Sequence, residues 1–191
     1  PALFCRQLRG LMNHFELHED VTLVGHSMGG AIAAAFAAEE DHRLRRLVLS
    51  APAGMGHELG TLARWAPEWP LIGDWAFHMG FPRLHAQGCE AERALDSAIE
   101  DIADLQLAEL AYRGYVRSVL SSLRGTLRHP MEQAHRQIAR RRLPVAAIWG
   151  AEDRVIPIRA MGTLAQWNRD VRHEVIEGAG HSLLYTHPRA M

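Results

Sequence analysis

The sequence contains no lysine: its 21 basic residues, all arginine, stand against 22 acidic ones in 191 positions. That absence excludes chemistry requiring a side-chain primary amine, such as a Walker lysine on a phosphate, a Schiff base with a carbonyl or pyridoxal, or a Ser-Lys dyad. A formal charge of -1 leaves no global field to draw the chain to nucleic acid or an anionic membrane, so neither is expected as a partner. Cysteine is scarce. Cys5 and Cys89 cannot build a disulfide framework, and neither sits in a metal-ligand spacing, so both read as small apolar residues. Long hydrophobic runs are also missing: the longest uncharged apolar stretch, Met28 to Ala38, falls well short of the roughly 18 to 20 residues that span a bilayer. No basic-then-apolar leader opens the chain, which makes a soluble, cytoplasmic protein the expectation. A leader further upstream stays open, because the first residue is Pro1.

What is present suits one globular core, with 48% apolar and 23% charged residues. Leu3 to Leu17 reads as an amphipathic helix. Val21 to Val24 is a β-branched run ending at Gly25, and Met28 to Glu40 is alanine-rich and helix-prone. Leu47-Val48-Leu49 predicts the next parallel strand, closed by the turn-rich Ser50 to Gly54. From Gly56 to Phe81 no clean period emerges, while Glu90 to Leu110 and Tyr112 to Leu123 have helical patterns. Alternation resumes with a strand over Pro144 to Gly150, a helix from Pro157 to Trp167, and an edge-like strand over Val171 to Ile176. The expectation is an α/β domain with a mainly parallel sheet, in core parts 1–52 and 126–191 around an inserted helical cap, 53–125.

Gly25-His26-Ser27-Met28-Gly29 is a G-x-S-x-G sequence between a predicted strand and a predicted helix. In so tight a turn the serine takes a strained backbone conformation, and side chains two positions before or after it are expected to clash, hence glycine. The following helix aims its N-terminus at the same spot, favouring developing negative charge. A serine hydroxyl becomes a useful nucleophile when a histidine takes its proton and a carboxylate orients that histidine. In an open α/β sheet such groups converge at the carboxyl ends of the strands. Asp153 follows the strand ending near Trp149, and His181 follows the one ending at Ile176.

Val-Gly-His-Ser-Met-Gly-Gly, Trp-Gly-Ala-Glu-Asp-Arg-Val-Ile-Pro and Gly-Ala-Gly-His together resemble the α/β-hydrolase-fold serine hydrolases of the esterase and lipase kind. The resemblance implies Ser27 as nucleophile, Asp153 as orienting acid, His181 as general base and the Met28 backbone N–H as one oxyanion donor. It also implies the cap, and an activity without cofactor. Relatives with epoxide hydrolase or haloalkane dehalogenase activity carry an aspartate as nucleophile, so Ser27 argues against both. Four strands normally precede the helix that leads into this elbow. The chain is therefore expected to lack N-terminal strands carrying the second oxyanion donor, and to be impaired as a fragment.

Alternatives accompany each assignment. Glu152 competes with Asp153 as the acid, and His173 and His187 with His181 as the base; His26 reads as a buttress of the elbow. His14 and His18 have the i, i+4 spacing of a metal pair but no following glutamate and no third ligand, so no metal is expected. Trp65, Trp69, Trp75 and Phe77 read either as core packing or as an apolar substrate pocket. The function expected is cleavage of a carboxylic ester of a small hydrophobic acyl or aromatic substrate through an acyl-enzyme. Beside it stand C–C bond hydrolysis, thioester cleavage, acyl transfer, perhydrolysis and non-catalytic ligand binding. Oligomeric state is not legible.

Overall fold

The computed structural model of the chain describes residues 1–56 and 60–191. Through its internal contacts the chain divides into two compact units, Pro1–His57 with His129–His181, and Glu58–Arg128 with Ser182–Met191.

The first unit is a layered α/β structure. After α1 (Ala2–His14) come β1 (Val21–His26), α2 (Met28–Glu39) and β2 (Leu44–Ser50). The sheet pairs β1 with β2 in parallel, Leu23 opposite Leu47 and Gly25 opposite Leu49. Small side chains let α2 lie close to it: Ala31, Ala34 and Ala37 are buried, and Phe36 fills the space beneath. Arg43, itself buried, ties this corner to α1 by donating to Asn13 Oδ1 at 2.9 Å and to the Leu17 carbonyl at 2.8 Å.

The second unit is helical, with α3 (Thr61–Trp65), α4 (Ile72–Glu92), α5 (Ile102–Ala108) and α6 (Tyr115–Arg124). Its core gathers Ala66, Phe77, Leu120 and Leu123, with Leu62, Phe81 and Val119 packed around them. Arg124 clamps it by reaching both carboxylate oxygens of Asp74, at 2.8 and 3.1 Å. That bidentate pair, aided by the Leu71 N–H, holds Asp74 down to about 2.

The first unit resumes with α7 (Glu132–Arg140), β3 (Val145–Gly150), α8 (Arg159–Trp167) and β4 (Arg172–Ile176). The sheet order is β1-β2-β3-β4, and every pairing is parallel. As its alternation implies, β4 is an edge strand. A final turn, α9 (Leu183–Thr186), belongs to the second unit.

Several elements differ from the sequence reading. The stretch read as aperiodic contains the first half of α4, which runs on through Pro82; residues 57–59 of that stretch lie outside the described residues. The helix expected over Glu90 to Leu110 is broken between α4 and α5. There the Ser97 hydroxyl accepts the Ile99 N–H at 3.1 Å and donates to its carbonyl at 2.9 Å, and Asp101 turns left-handed at φ 56. Ser182–Met191, expected with the core, group with the helical unit because Ser182 and Tyr185 bond Glu92 and the Ala98 N–H bonds the Tyr185 carbonyl.

Candidate active site

Ser27 stands between the last residue of β1 and the first of α2, with φ 50 and ψ -120. This is a left-handed φ that a non-glycine residue adopts at a cost of about 1–3 kcal/mol. The surrounding backbone holds it there. The Ser27 N–H donates to the Ser50 carbonyl at 3.0 Å, while the Ser27 carbonyl accepts from Ala53 N–H and Gly30 N–H, both at 2.9 Å. The glycine requirement is sharper than the pentapeptide suggests. A Cβ on Gly25 would lie 2.5 Å from the Gly29 carbonyl oxygen, and one on Gly30 would lie 2.7 Å from Pro52 Cβ. A Cβ on Gly29 would meet nothing within 4 Å, so the clash expected there is absent among the described residues.

The hydroxyl of Ser27 lies 2.9 Å from His181 Nε2, and His181 Nδ1 lies 2.8 Å from Asp153 Oδ2. Asp153 is buried. Burial pushes its carboxyl up, but hydrogen bonds from His181 and from the Ile156 and Val155 backbone outweigh it and hold the group below its ordinary value. The two backbone bonds to Oδ1 measure 2.7 Å from Val155 and 2.8 Å from Ile156, leaving Oδ2 to the histidine. An Nδ1–H donated to Asp153 presents a lone pair at Nε2 to the serine.

The competing residues lie elsewhere. Glu152 is exposed, and its backbone N–H, not its carboxylate, joins the site by donating to the Ala179 carbonyl at 2.9 Å. His173 accepts the Trp149 indole N–H at 3.1 Å. His26 donates Nδ1–H to the Ser50 carbonyl at 3.1 Å and packs its ring 5.0 Å from that of His181. Burial and the neighbouring His181 push the His26 imidazole down, which favours its neutral form. Met28 opens α2, where a backbone N–H has no acceptor within the helix.

Two contributors escaped the sequence reading. Ser50 anchors both Ser27 and His26 through its carbonyl; its position at the end of the second strand was the available signal. Gly150 lies under the histidine loop, where a Cβ would come within 2.4 Å of the Ala179 oxygen and 2.6 Å of the Gly180 oxygen. The aromatic group is not one surface. Phe77 is 1% exposed and stacks on Phe81 inside the helical unit, which corrects its reading as a pocket residue. Trp65, Trp69 and Trp75 are exposed, at 42%, 55% and 70%.

A family model described as serine aminopeptidase, S33 (Hydrolase_4), matches residues 3–187. The chain belongs to this hydrolase family. A 2-hydroxymuconate semialdehyde hydrolase from Pseudomonas sp. (strain CF600) is 30% identical over 182 residues, 90% of this chain and 59% of the relative. The monoacylglycerol lipase abhd6-B of Xenopus laevis is 23% identical over 178 residues, 87% of this chain and 51% of the relative. Among solved structures, the 2-hydroxy-6-oxo-6-phenylhexa-2,4-dienoate hydrolase of Rhodococcus sp. strain RHA1 superposes with a TM-score of 0.72 at 24% identity, covering 98% of this chain and 66% of that one. The fold is that of an α/β hydrolase. The chain spans 51% and 59% of these two curated relatives. Among the described residues no helix is long and apolar enough to cross a membrane.

Proposed function

We propose that the full-length protein is a serine hydrolase that cleaves a carboxylic ester of a hydrophobic acyl or aromatic substrate through an acyl-enzyme. The observation that supports this reading is the continuous chain from Ser27 Oγ through His181 to the buried Asp153, with links of 2.9 and 2.8 Å. In the proposed reaction His181 Nε2 takes the Ser27 proton as Oγ attacks the carbonyl carbon. The tetrahedral oxyanion is met by the Met28 N–H and the positive end of α2. Asp153 balances the imidazolium, which then gives its proton to the departing alkoxide. Water attacks the acyl-Ser27 ester with His181 again as base, releasing the acid and restoring the hydroxyl.

A second reading, hydrolysis of a C–C bond by the same three residues, is favoured by the 30% identity to a 2-hydroxymuconate semialdehyde hydrolase. The substrate in that name has no ester to cleave. Product analysis separates the two when full-length protein is given p-nitrophenyl butyrate or benzoate in one arm and 2-hydroxymuconate semialdehyde in the other. The ester reading expects turnover of the esters and a loss of roughly 10⁴-fold or more in Ser27→Ala. Esters at background with rapid cleavage of the semialdehyde would favour the second reading. Equal turnover by Ser27→Ala would overturn both.

A further inference from the structure

Two hydrogen bonds fix the ends of the His181 ring but not its tilt. Nε2 lies 2.9 Å from Ser27 Oγ, and Nδ1 lies 2.8 Å from Asp153 Oδ2. Rocking the ring about the line through its two nitrogens leaves both distances almost unchanged. It nevertheless swings the Nδ1–H and the Nε2 lone pair out of line with their partners, and a hydrogen bond weakens steeply as that alignment is lost. The loop that carries His181 is well held upstream, where Ala179 is buried and its carbonyl accepts the Glu152 N–H at 2.9 Å. A main-chain bond two residues away does not set the tilt of an imidazole. A side chain resting against the face of the ring does.

His26 occupies that place. Its ring centroid lies 5.0 Å from that of His181, with the two planes inclined at 37°, which is within the range of ring-to-ring contact. The His26 ring is itself half-buried and anchored: Nδ1–H donates to the Ser50 carbonyl at 3.1 Å, with Ser50 Oγ at 3.3 Å beside it. Ser50 is fully buried, and the same carbonyl accepts the Ser27 N–H at 3.0 Å. One carbonyl at the end of β2 therefore holds both the backbone of the nucleophile and the ring that faces the base. All of these residues belong to the unit that contains the sheet. The ring also suits its neighbour electrically. Burial and then His181 push His26 down, against the opposing pull of the Ser50 hydrogen bond and of Asp153, so an uncharged ring stands beside the group that becomes an imidazolium. A like charge there would disfavour that imidazolium.

We propose that His26 is a positioning residue for His181, its ring face fixing the tilt of the general base between Ser27 and Asp153. The inference rests on the proposed role of His181 as general base. It gives His26 more than support of the elbow, because the ring itself, and not only its Nδ1–H on Ser50, carries the effect. Loss of the ring frees His181 to rock, and displacement of a catalytic group by about 1 Å can cost roughly 100-fold in rate.

Three variants of the full-length protein separate the ring from its anchor. His26→Ala removes both, His26→Phe keeps a ring face without the Nδ1–H, and His26→Asn keeps an N–H donor for the Ser50 carbonyl without the ring. Three quantities are measured: kcat and KM on the substrate that is turned over, the rate of Ser27 labelling by a fluorophosphonate, and the downfield proton NMR resonance of His181 Nδ1–H, assigned by its loss in Asp153→Asn. His26→Ala is expected to lower kcat and the labelling rate about 10- to 100-fold, with KM within about twofold, and to broaden the resonance through faster exchange. His26→Phe should recover most of both rates and sharpen the resonance, while His26→Asn should stay close to His26→Ala. If His26→Ala does not fold, the comparison of Phe with Asn carries the test. Recovery in Phe no greater than in Asn would overturn the proposal and leave His26 a support of the elbow alone, as would unchanged kcat, labelling and resonance in folded His26→Ala. The resonance belongs to the resting Asp153–His181 pair and needs no turnover. An unlabelled wild-type Ser27 therefore marks failure of the hydrolase reading, whereas a labelled wild type with indifferent variants marks failure of the role given to His26.

Discussion

In the unit carrying Ser27, position is set by backbone: four paired parallel strands, a serine locked by three main-chain hydrogen bonds, and glycines where carbonyl oxygens come too close for a Cβ. In the helical unit, position is set by side chains: a compact apolar cluster around Phe77, the Arg124–Asp74 clamp, and the Glu92 carboxylate bridging Ser182 and Tyr185. Backbone geometry leaves its mark in sequence as strand period and glycine placement. Side-chain clamps between distant positions leave almost none. The two units should therefore respond to different kinds of substitution.

The largest stability effect is expected in the helical unit. Phe77→Ala removes a fully buried ring from a small core and should cost about 3–5 kcal/mol in chemical denaturation, whereas Trp75→Ala, at an exposed position on the same helix, should stay within about 0.5 kcal/mol. Equal losses at the two sites would place Trp75 in a packed environment and undo the distinction between them. Next comes an acid response in the first unit. His135 is fully buried, neither ring nitrogen has a hydrogen-bond partner among the described residues, and burial pushes it down from 6.5 to about 4. The unfolded chain protonates first, so stability should fall as pH drops from 6.5 towards 4, by up to about 3 kcal/mol in total. His135→Leu should flatten that part of the profile. Asp153 acts in a lower window: its stabilisation is present above 3.8 and is lost as pH falls through its depressed folded value.

A smaller effect discriminates within the elbow itself. Gly25→Ala should cost about 1–3 kcal/mol, because its Cβ would press on the Gly29 carbonyl. Gly29→Ala, with open space at that position, should change stability by less than about 0.5 kcal/mol. Comparable losses at both glycines would mean that the pentapeptide is tight throughout.

The same contrast explains what was legible in advance. All four strands, their parallel arrangement and the order Ser27, Asp153, His181 follow from short apolar runs and from the rule that α/β sites gather at strand ends. Burial and the two backbone N–H groups at Val155 and Ile156 separate Asp153 from Glu152 in space, although the two are adjacent in sequence. The helical unit was harder to read. Pro82 within α4 and three nearby tryptophans masked a 21-residue helix, and the helical pattern over Glu90 to Leu110 crossed a turn made by Ser97 and Asp101. Phe77 and Trp75 are two residues apart, and composition could not tell that one faces the core and the other solvent. Glu92 reads as one acid among many until Ser182 and Tyr185 are brought to it.

Covalent labelling tests Ser27 as the nucleophile without knowledge of the substrate. Full-length protein is treated with a fluorophosphonate, digested and mapped by mass spectrometry, alongside Ser27→Ala. The prediction is about one adduct per chain, on the peptide containing Ser27 and abolished in the variant; an adduct on another residue, or undiminished labelling of Ser27→Ala, would contradict it.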